Sequence, residues 1–331
     1  MVGAFKTNSP NNTFLLLIYG FALKLHLFLY PQEVALNPGH GVLYDILYNV
    51  FRAIGQRSHL ITSFISFALL MIQAIAINRG VNALRMFPKA NYLPGMSFLL
   101  ISNFFNYWNI LSSALVSATL LTILFPMLCK LFNNPAPKSA IFNIALLMGV
   151  IILLYYPAIP LIILLLIALI LFRPLRIQEI FVAIAGLVTP IYFILGIAYI
   201  LKSLYFLEKP HFGFSLPVVQ LENAQYIMLG LIVVCMMAGI VYLQKNMLKQ
   251  VVLTRKAWML VFWFLFAGLL IPFSVYKPTV NAWWFLVMPL SLIVSAAFYY
   301  FSRKWPALIM HWLLFFLAMV ISFHLFPKVL T

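Results

Sequence analysis

The chain has 331 residues, of which 65% are hydrophobic and 8% charged, with a mean hydropathy of +1.06 and a net charge of +16. Water-soluble domains carry about 25% charged residues, so this composition excludes a soluble globule. Apolar runs of bilayer length, about 20 residues, recur from end to end, and their continuity, without alternation, excludes a membrane β-barrel. The fold class expected is all-α: a polytopic transmembrane helical bundle forming one integral membrane domain over 1–331.

Lys6 precedes an apolar run from Phe14 to Tyr30 with no small-x-small cleavage site after it, which predicts a retained first helix. Within that run stands Lys24. A lysine in hydrocarbon is costly unless its stem snorkels or its ammonium finds a partner. Snorkelling to the headgroups is expected, with Glu33 or a lipid phosphate as the alternative partner.

The next stretch, NPGHGVLYDILYNVFRAIGQR (37–57), is unlike the rest. Asp45, Asn49, Arg52 and Gln56 follow one another in steps of four, three and four. At about 100° per residue they share a stripe roughly 60° wide. Leu43, Ile46, Leu47, Val50 and Ile54 cover the opposite side. The pattern predicts a short amphipathic helix over 42–56, opened by the turn-forming Asn37-Pro38-Gly39.

Candidate spans then follow at 13–30, 60–78, 93–107, 110–129, 139–156, 158–172, 180–201, 225–243, 257–275, 281–301 and 306–325. Eleven spans are expected, within a range of nine to eleven, because the breaks at Tyr156-Pro157 and at Asn106-Tyr107 are tight. Asn103, Asn106 and Asn109 at the second break are expected to satisfy the backbone of a hairpin turn. Cys129 and Cys235 lie on different apolar segments and read as packing residues.

Eleven spans sort the basic residues. Fourteen of the 21 fall on one side, among them Arg79, Lys130, Arg173 and Lys249, and six on the other; Lys24 lies within the first span. The positive-inside rule then places the N-terminus in the cytoplasm and the C-terminus outside, in a bacterial inner membrane. The positive charge needs no nucleic-acid partner, because orientation and anionic lipid account for it. The acids go the other way: Glu33, Asp45, Glu208 and Glu222 are expected outside, Glu179 inside. Outer polar material is concentrated in loops 31–59 and 202–224.

Motifs for nucleotides, nicotinamide or HExxH zinc chemistry are missing, and no cofactor or metal is expected. His40, His59 and His211 lack metal-ligand spacing and converge only if the fold brings them together.

Four segments carry a resemblance: FKTNSPNNTFLLLIYGFALKLHLFLYP (5–31), NYLPGMSFLL (91–100), KSAIFNIALLMGVIILLYYPAI (138–159) and FRPLRIQEIFVAIAGLVTPIYF (172–193). Together they resemble an uncharacterised family of polytopic inner-membrane proteins from Bacteroidota, a domain of unknown function whose members often carry a carotene-oxygenase label. KPHFGFS (209–215) and PGHGVLYD (38–45) echo that label, but the further iron-ligand motifs are missing. The layout also resembles the GT-C type of lipid-phosphate-sugar glycosyltransferases, which begin inside and place an amphipathic helix and an acid in a long first outer loop. A paired-acid motif and a soluble outer domain, both usual in that type, are missing here.

Three functions stay open. The first is an outward-facing GT-C-like transferase using a polyprenyl-phosphate-linked sugar in cell-envelope glycan assembly. Asp45 would be its general base, and Arg52 with Arg57 or Lys24 would hold the phosphate. Asn49, His40, His211 and Glu222 complete the candidate substrate-binding set. The second is a non-enzymatic scaffold or subunit of an envelope complex, bound to membrane lipids and other envelope proteins. The third is a lipid flippase or transporter, which would need ionisable groups at membrane depth.

Overall fold

The computed structural model describes residues 2–9, 11–174, 176–200, 215–217, 219–275, 279–301 and 304–324. Among them are fourteen α-helices: α1 (Val2–Phe5), α2 (Asn11–Lys24), α3 (His26–Leu29), α4 (Val42–Arg57), α5 (His59–Ala83), α6 (Leu93–Ile101), α7 (Ser113–Cys129), α8 (Pro137–Leu154), α9 (Leu161–Phe172), α10 (Ile177–Ile200), α11 (Asn223–Met247), α12 (Val252–Leu270), α13 (Val287–Tyr300) and α14 (Lys304–His324).

The all-α membrane class is as expected, but the count of eleven spans is not supported. Seven segments among the described residues are long and apolar enough to cross a bilayer: those at 59–83, 137–154, 177–200, 223–247, 252–274, 280–300 and 305–323. Each remaining candidate has a physical reason to fall short. The first breaks at Leu25 into α2 and α3. The third is the nine-residue α6, about 13.5 Å long and therefore half a bilayer. Helices α7 and α9 have 17 and 12 residues. Periodicity and hydropathy cannot see a helix that stops halfway when the loop after it is equally apolar.

Helix α13 lies in the most buried of the seven segments, against α6 and α11, with Ser291, Leu292, Ile293 and Ser295 fully buried. Helix α10 is the opposite case. It packs on α8 and turns Phe181, Val188 and Tyr192 outward, an apolar surface that suits lipid. Its crossing with α8 is backbone-close, because a Cβ on Gly186 would lie 2.6 Å from the Phe142 carbonyl and one on Gly149 2.8 Å from that of Leu187. Small residues that let helices touch are the usual device where lipid replaces water.

Helix α4 forms over the expected residues and docks by an unexpected face. Tyr44, Tyr48, Phe51 and Gly55, spaced four, three and four, turn toward the protein, with Tyr44 and Gly55 buried. The polar stripe lies beside them, with Asn49, Arg52 and Gln56 exposed and Asp45 half-buried. Ile46 and Val50 lie beyond, each 53% exposed. The helix thus has three faces: one packed on protein, one exposed and polar, one exposed and apolar.

Candidate functional site

The docking of α4 starts in the turn before it. Gly39 has φ +84, the left-handed region that glycine adopts without strain, and His40 N donates to the Asn37 carbonyl (3.1 Å). The turn pairs with the break between α8 and α9: Gly41 N donates to Leu154 O (2.9 Å) and Tyr156 N to Gly39 O (3.0 Å). A Cβ on Gly41 would collide with the Leu153 carbonyl. Tyr44 completes the anchor, its hydroxyl donating to Ala35 O (3.1 Å) and lying 3.4 Å from Leu111 O. Burial pushes that phenol well above its ordinary value, so it remains a neutral donor.

This anchor brings two expected site residues together. His40 Nε2 is 3.0 Å from Asp45 Oδ1, and His40 Nδ1 is 2.8 Å from the Asn37 carbonyl. A carbonyl only accepts, so Nδ1 is the donor to Asn37, and Nε2 faces the Asp45 carboxylate. The His40 side chain is 15% exposed and that of Asp45 37%, so the acid reaches the surface from a fixed base. Asn49 and Arg52 share its stripe and Arg57 ends the helix; all three are exposed.

Lys24 is elsewhere, and the snorkelling expectation is corrected. Its side chain is fully buried. Nζ donates to Ser102 Oγ (2.7 Å), Asn103 Oδ1 (2.5 Å) and Asn109 Oδ1 (2.6 Å), which uses all three of its donors. Among the described residues no carboxylate lies within ion-pair distance of it. The cluster marks a double interruption, where α2 stops at Lys24 and α6 stops at Ile101. Asn103 Nδ2 donates to Leu23 O (3.1 Å), taking up a carbonyl freed where α2 ends. Non-helical backbone at membrane depth is tolerated where protein surrounds it, and these asparagines supply that surrounding. They are not simple turn residues: Asn103 and Asn109 cap the lysine, and Asn106 Nδ2 donates to Ile321 O of α14 (3.0 Å).

Two further candidates are Glu222 and His211. Glu222 is the N-cap of α11 in a reciprocal capping box, Gln225 Oε1 accepting from Glu222 N (2.9 Å). His211, with most of the 202–224 loop, lies outside the described residues. Among the described residues no three His, Cys, Asp or Glu side chains converge to hold a metal.

Sequence reasoning also missed an apolar cavity of about 370 Å³ walled by Phe104, Phe105, Trp108, Ile232, Leu269 and Trp283. The loop that forms its aromatic wall runs on from Trp108 to Leu111, whose carbonyl faces Tyr44 of α4. The signal was present in SNFFNYWN (102–109), where asparagines alternate with aromatic pairs, but nothing local assigns the two sets to opposite sides.

No curated protein and no solved structure matches the chain. A family model matches residues 42–331, nearly the whole chain from the start of α4 onward, and by that match the protein belongs to a family of unknown function, DUF6427.

Proposed function

We propose that the protein is a GT-C-like transferase acting at the α4 surface on a polyprenyl-phosphate-linked sugar, in cell-envelope glycan assembly. The observation that carries this reading is the Asp45 carboxylate, fixed by His40 and half-exposed on a helix that also shows an apolar face. An amphipathic interfacial helix is where a substrate with a polar head and a hydrocarbon tail presents its reacting bond.

Asp45 takes the proton of an acceptor hydroxyl as that oxygen attacks the sugar's anomeric carbon. The bond from that carbon to the phosphate oxygen breaks, and the polyprenyl phosphate leaves with the electron pair. Arg52, seven residues on and about 10 Å along the axis, holds the phosphate by charge-assisted hydrogen bonds, with Asn49 and Arg57 adding polar contacts. The aromatic-walled cavity is of a size for part of the tail. In this reading the N-terminus is cytoplasmic and α4 faces outward, in the bacterial inner membrane.

The test is complementation of a deletion strain, scored on envelope glycan. Asp45→Asn is expected to abolish function with the protein inserted and abundant, because shape is kept and the basic oxygen lost. Arg52→Lys is expected to be impaired, since lysine keeps the charge but loses the two-pronged contact. Full complementation by both variants would remove the transferase reading and leave a scaffold.

A second reading, a lipid flippase or transporter, is favoured by the buried Lys24 at a broken helix, the setting in which membrane carriers hold charged cargo. A chain whose function survives Asp45→Asn but is lost in Lys24→Met, with the protein still inserted and abundant, would fit it.

A further inference from the structure

A second cavity lies far from α4. It has a volume of about 800 Å³ and opens between α5 and α7, with Leu253 of α12 at its edge. One face of each helix lines it: Ile72, Ile75 and Arg79 from α5, Ile123 and Met127 from α7, with Lys130 capping the end of α7. Both cations lie toward the end of the cavity where α5 and α7 finish, with Ile72, Ile75, Ile123 and Met127 before them and Leu84 and Phe132 beyond. Arg79 and Lys130 are exposed and make no ion pair among the described residues. Among the described residues no carboxylate lines the cavity. Phe132, also in the wall, carries Lys256 Nζ 5.0 Å above its ring, which adds a third positive charge nearby.

Depth fits as well. Helix α5 begins at His59, beside the end of α4, and reaches Arg79 twenty residues later. At 1.5 Å per residue that is about 30 Å, one hydrocarbon thickness. When α4 lies in one interface, Arg79 therefore reaches the other.

We infer that this cavity is a binding site for an anionic phospholipid of the leaflet opposite α4, with the phosphate between Arg79 and Lys130 and an acyl chain along Ile75, Ile123 and Met127. Each part of the lipid meets its complement. An unpaired guanidinium and ammonium suit a phosphodiester, and the apolar stretch accepts a chain that lipid would otherwise fill. Basic pockets between helices are suited to such headgroups. The site is independent of Asp45 and of any transfer chemistry there.

The experiment uses the full chain in detergent, with native mass spectrometry of adducts formed with phosphatidylglycerol or phosphatidylcholine at equal concentration. Phosphatidylglycerol is expected to be retained preferentially. Arg79→Gln with Lys130→Gln should lower that preference by about thirtyfold, for two cations near a lipid phosphate, and weaken phosphatidylcholine adducts far less, because the choline ammonium already offsets that phosphate. Lys245→Gln with Lys249→Gln, basic residues outside the cavity, should leave the preference intact. Ala76→Trp, which fills the cavity from α5, should reduce retention of both lipids. Equal loss in the Lys245 and Lys249 variant would mean that bulk charge, not this site, selects the lipid, and would overturn the inference. So would unchanged retention in Ala76→Trp, or competition by inorganic phosphate as effective as by whole phosphatidylglycerol, since either would show that no chain is held.

Discussion

Lys24 Nζ and Asn109 Oδ1 lie 2.6 Å apart in the closed interior of the bundle, although 85 residues separate them in the chain. The contact joins the end of α2 to the short 3₁₀ turn 106–109 that follows α6. It fixes two broken helices against each other, and a hydrophobic pair could not satisfy the polar groups that the breaks expose.

Removing one partner should therefore be worse than removing both. Lys24→Met leaves the oxygens of Ser102, Asn103 and Asn109 without their strongest donor, at a cost of roughly 2–4 kcal/mol. Adding Asn109→Leu to it should recover part of that loss, since apolar groups then face each other. Thermal unfolding in detergent measures both. A Lys24→Met protein as stable as the parent would show that the cluster carries no structural weight.

Much of the fold is legible in the amino-acid pattern alone. Hydropathy identifies the class because the bilayer demands long apolar runs, and the four-three-four spacing identifies α4 with its stripe. What the pattern hides depends on contacts distant in sequence. Tyr44 and Tyr48 are amphipathic and Phe51 is as apolar as the exposed Ile46 and Val50, so hydropathy does not mark which side of the helix meets protein. The partners of Lys24 stand some 80 residues away, and one apolar stretch looks the same whether its helix crosses the bilayer or stops halfway like α6.

The three faces of α4 predict a labelling pattern. Cysteines replacing Asn49, Arg52 and Gln56 should react with a membrane-impermeant maleimide. Those replacing Ile46 and Val50 should react only with a lipid-soluble reagent, and one replacing Tyr48 should be slow with both. Uniform reaction around the helix would mean that α4 does not dock by its Tyr44–Tyr48–Phe51–Gly55 side.

Docking itself hangs on Gly41. Its amide donates to Leu154 O, and any side chain meets the Leu153 carbonyl. Gly41→Val should free α4 from the α8–α9 break, so that a cysteine replacing Phe51, half-buried in the parent, becomes fast-reacting. Separation of His40 from Asp45 should follow, and function at the α4 surface should fall with the carboxylate and guanidinium still present. A variant that keeps slow Phe51 labelling would show that the turn accommodates the side chain by moving as a unit.

The crossing of α8 and α10 gives the last test. Helix α10 has most of its surface turned outward, with Phe181 67% and Tyr192 69% exposed, so its place in the bundle rests on the contact with α8. That contact is set by backbone: Gly186 faces the Phe142 carbonyl and the Ala145 methyl, and Gly149 faces Leu187 O and Pro190. Gly186→Leu must push the helices apart, because neither a carbonyl nor a Cβ can rotate away as a long side chain would. The expected cost is about 1–3 kcal/mol, read as a lower unfolding temperature in detergent. Gly196→Leu, where a Cβ meets nothing within 4 Å, is the matched control and should leave that temperature unchanged. Equal effects of the two substitutions would mean that added bulk on α10, and not its close approach to α8, sets the stability of this side of the bundle.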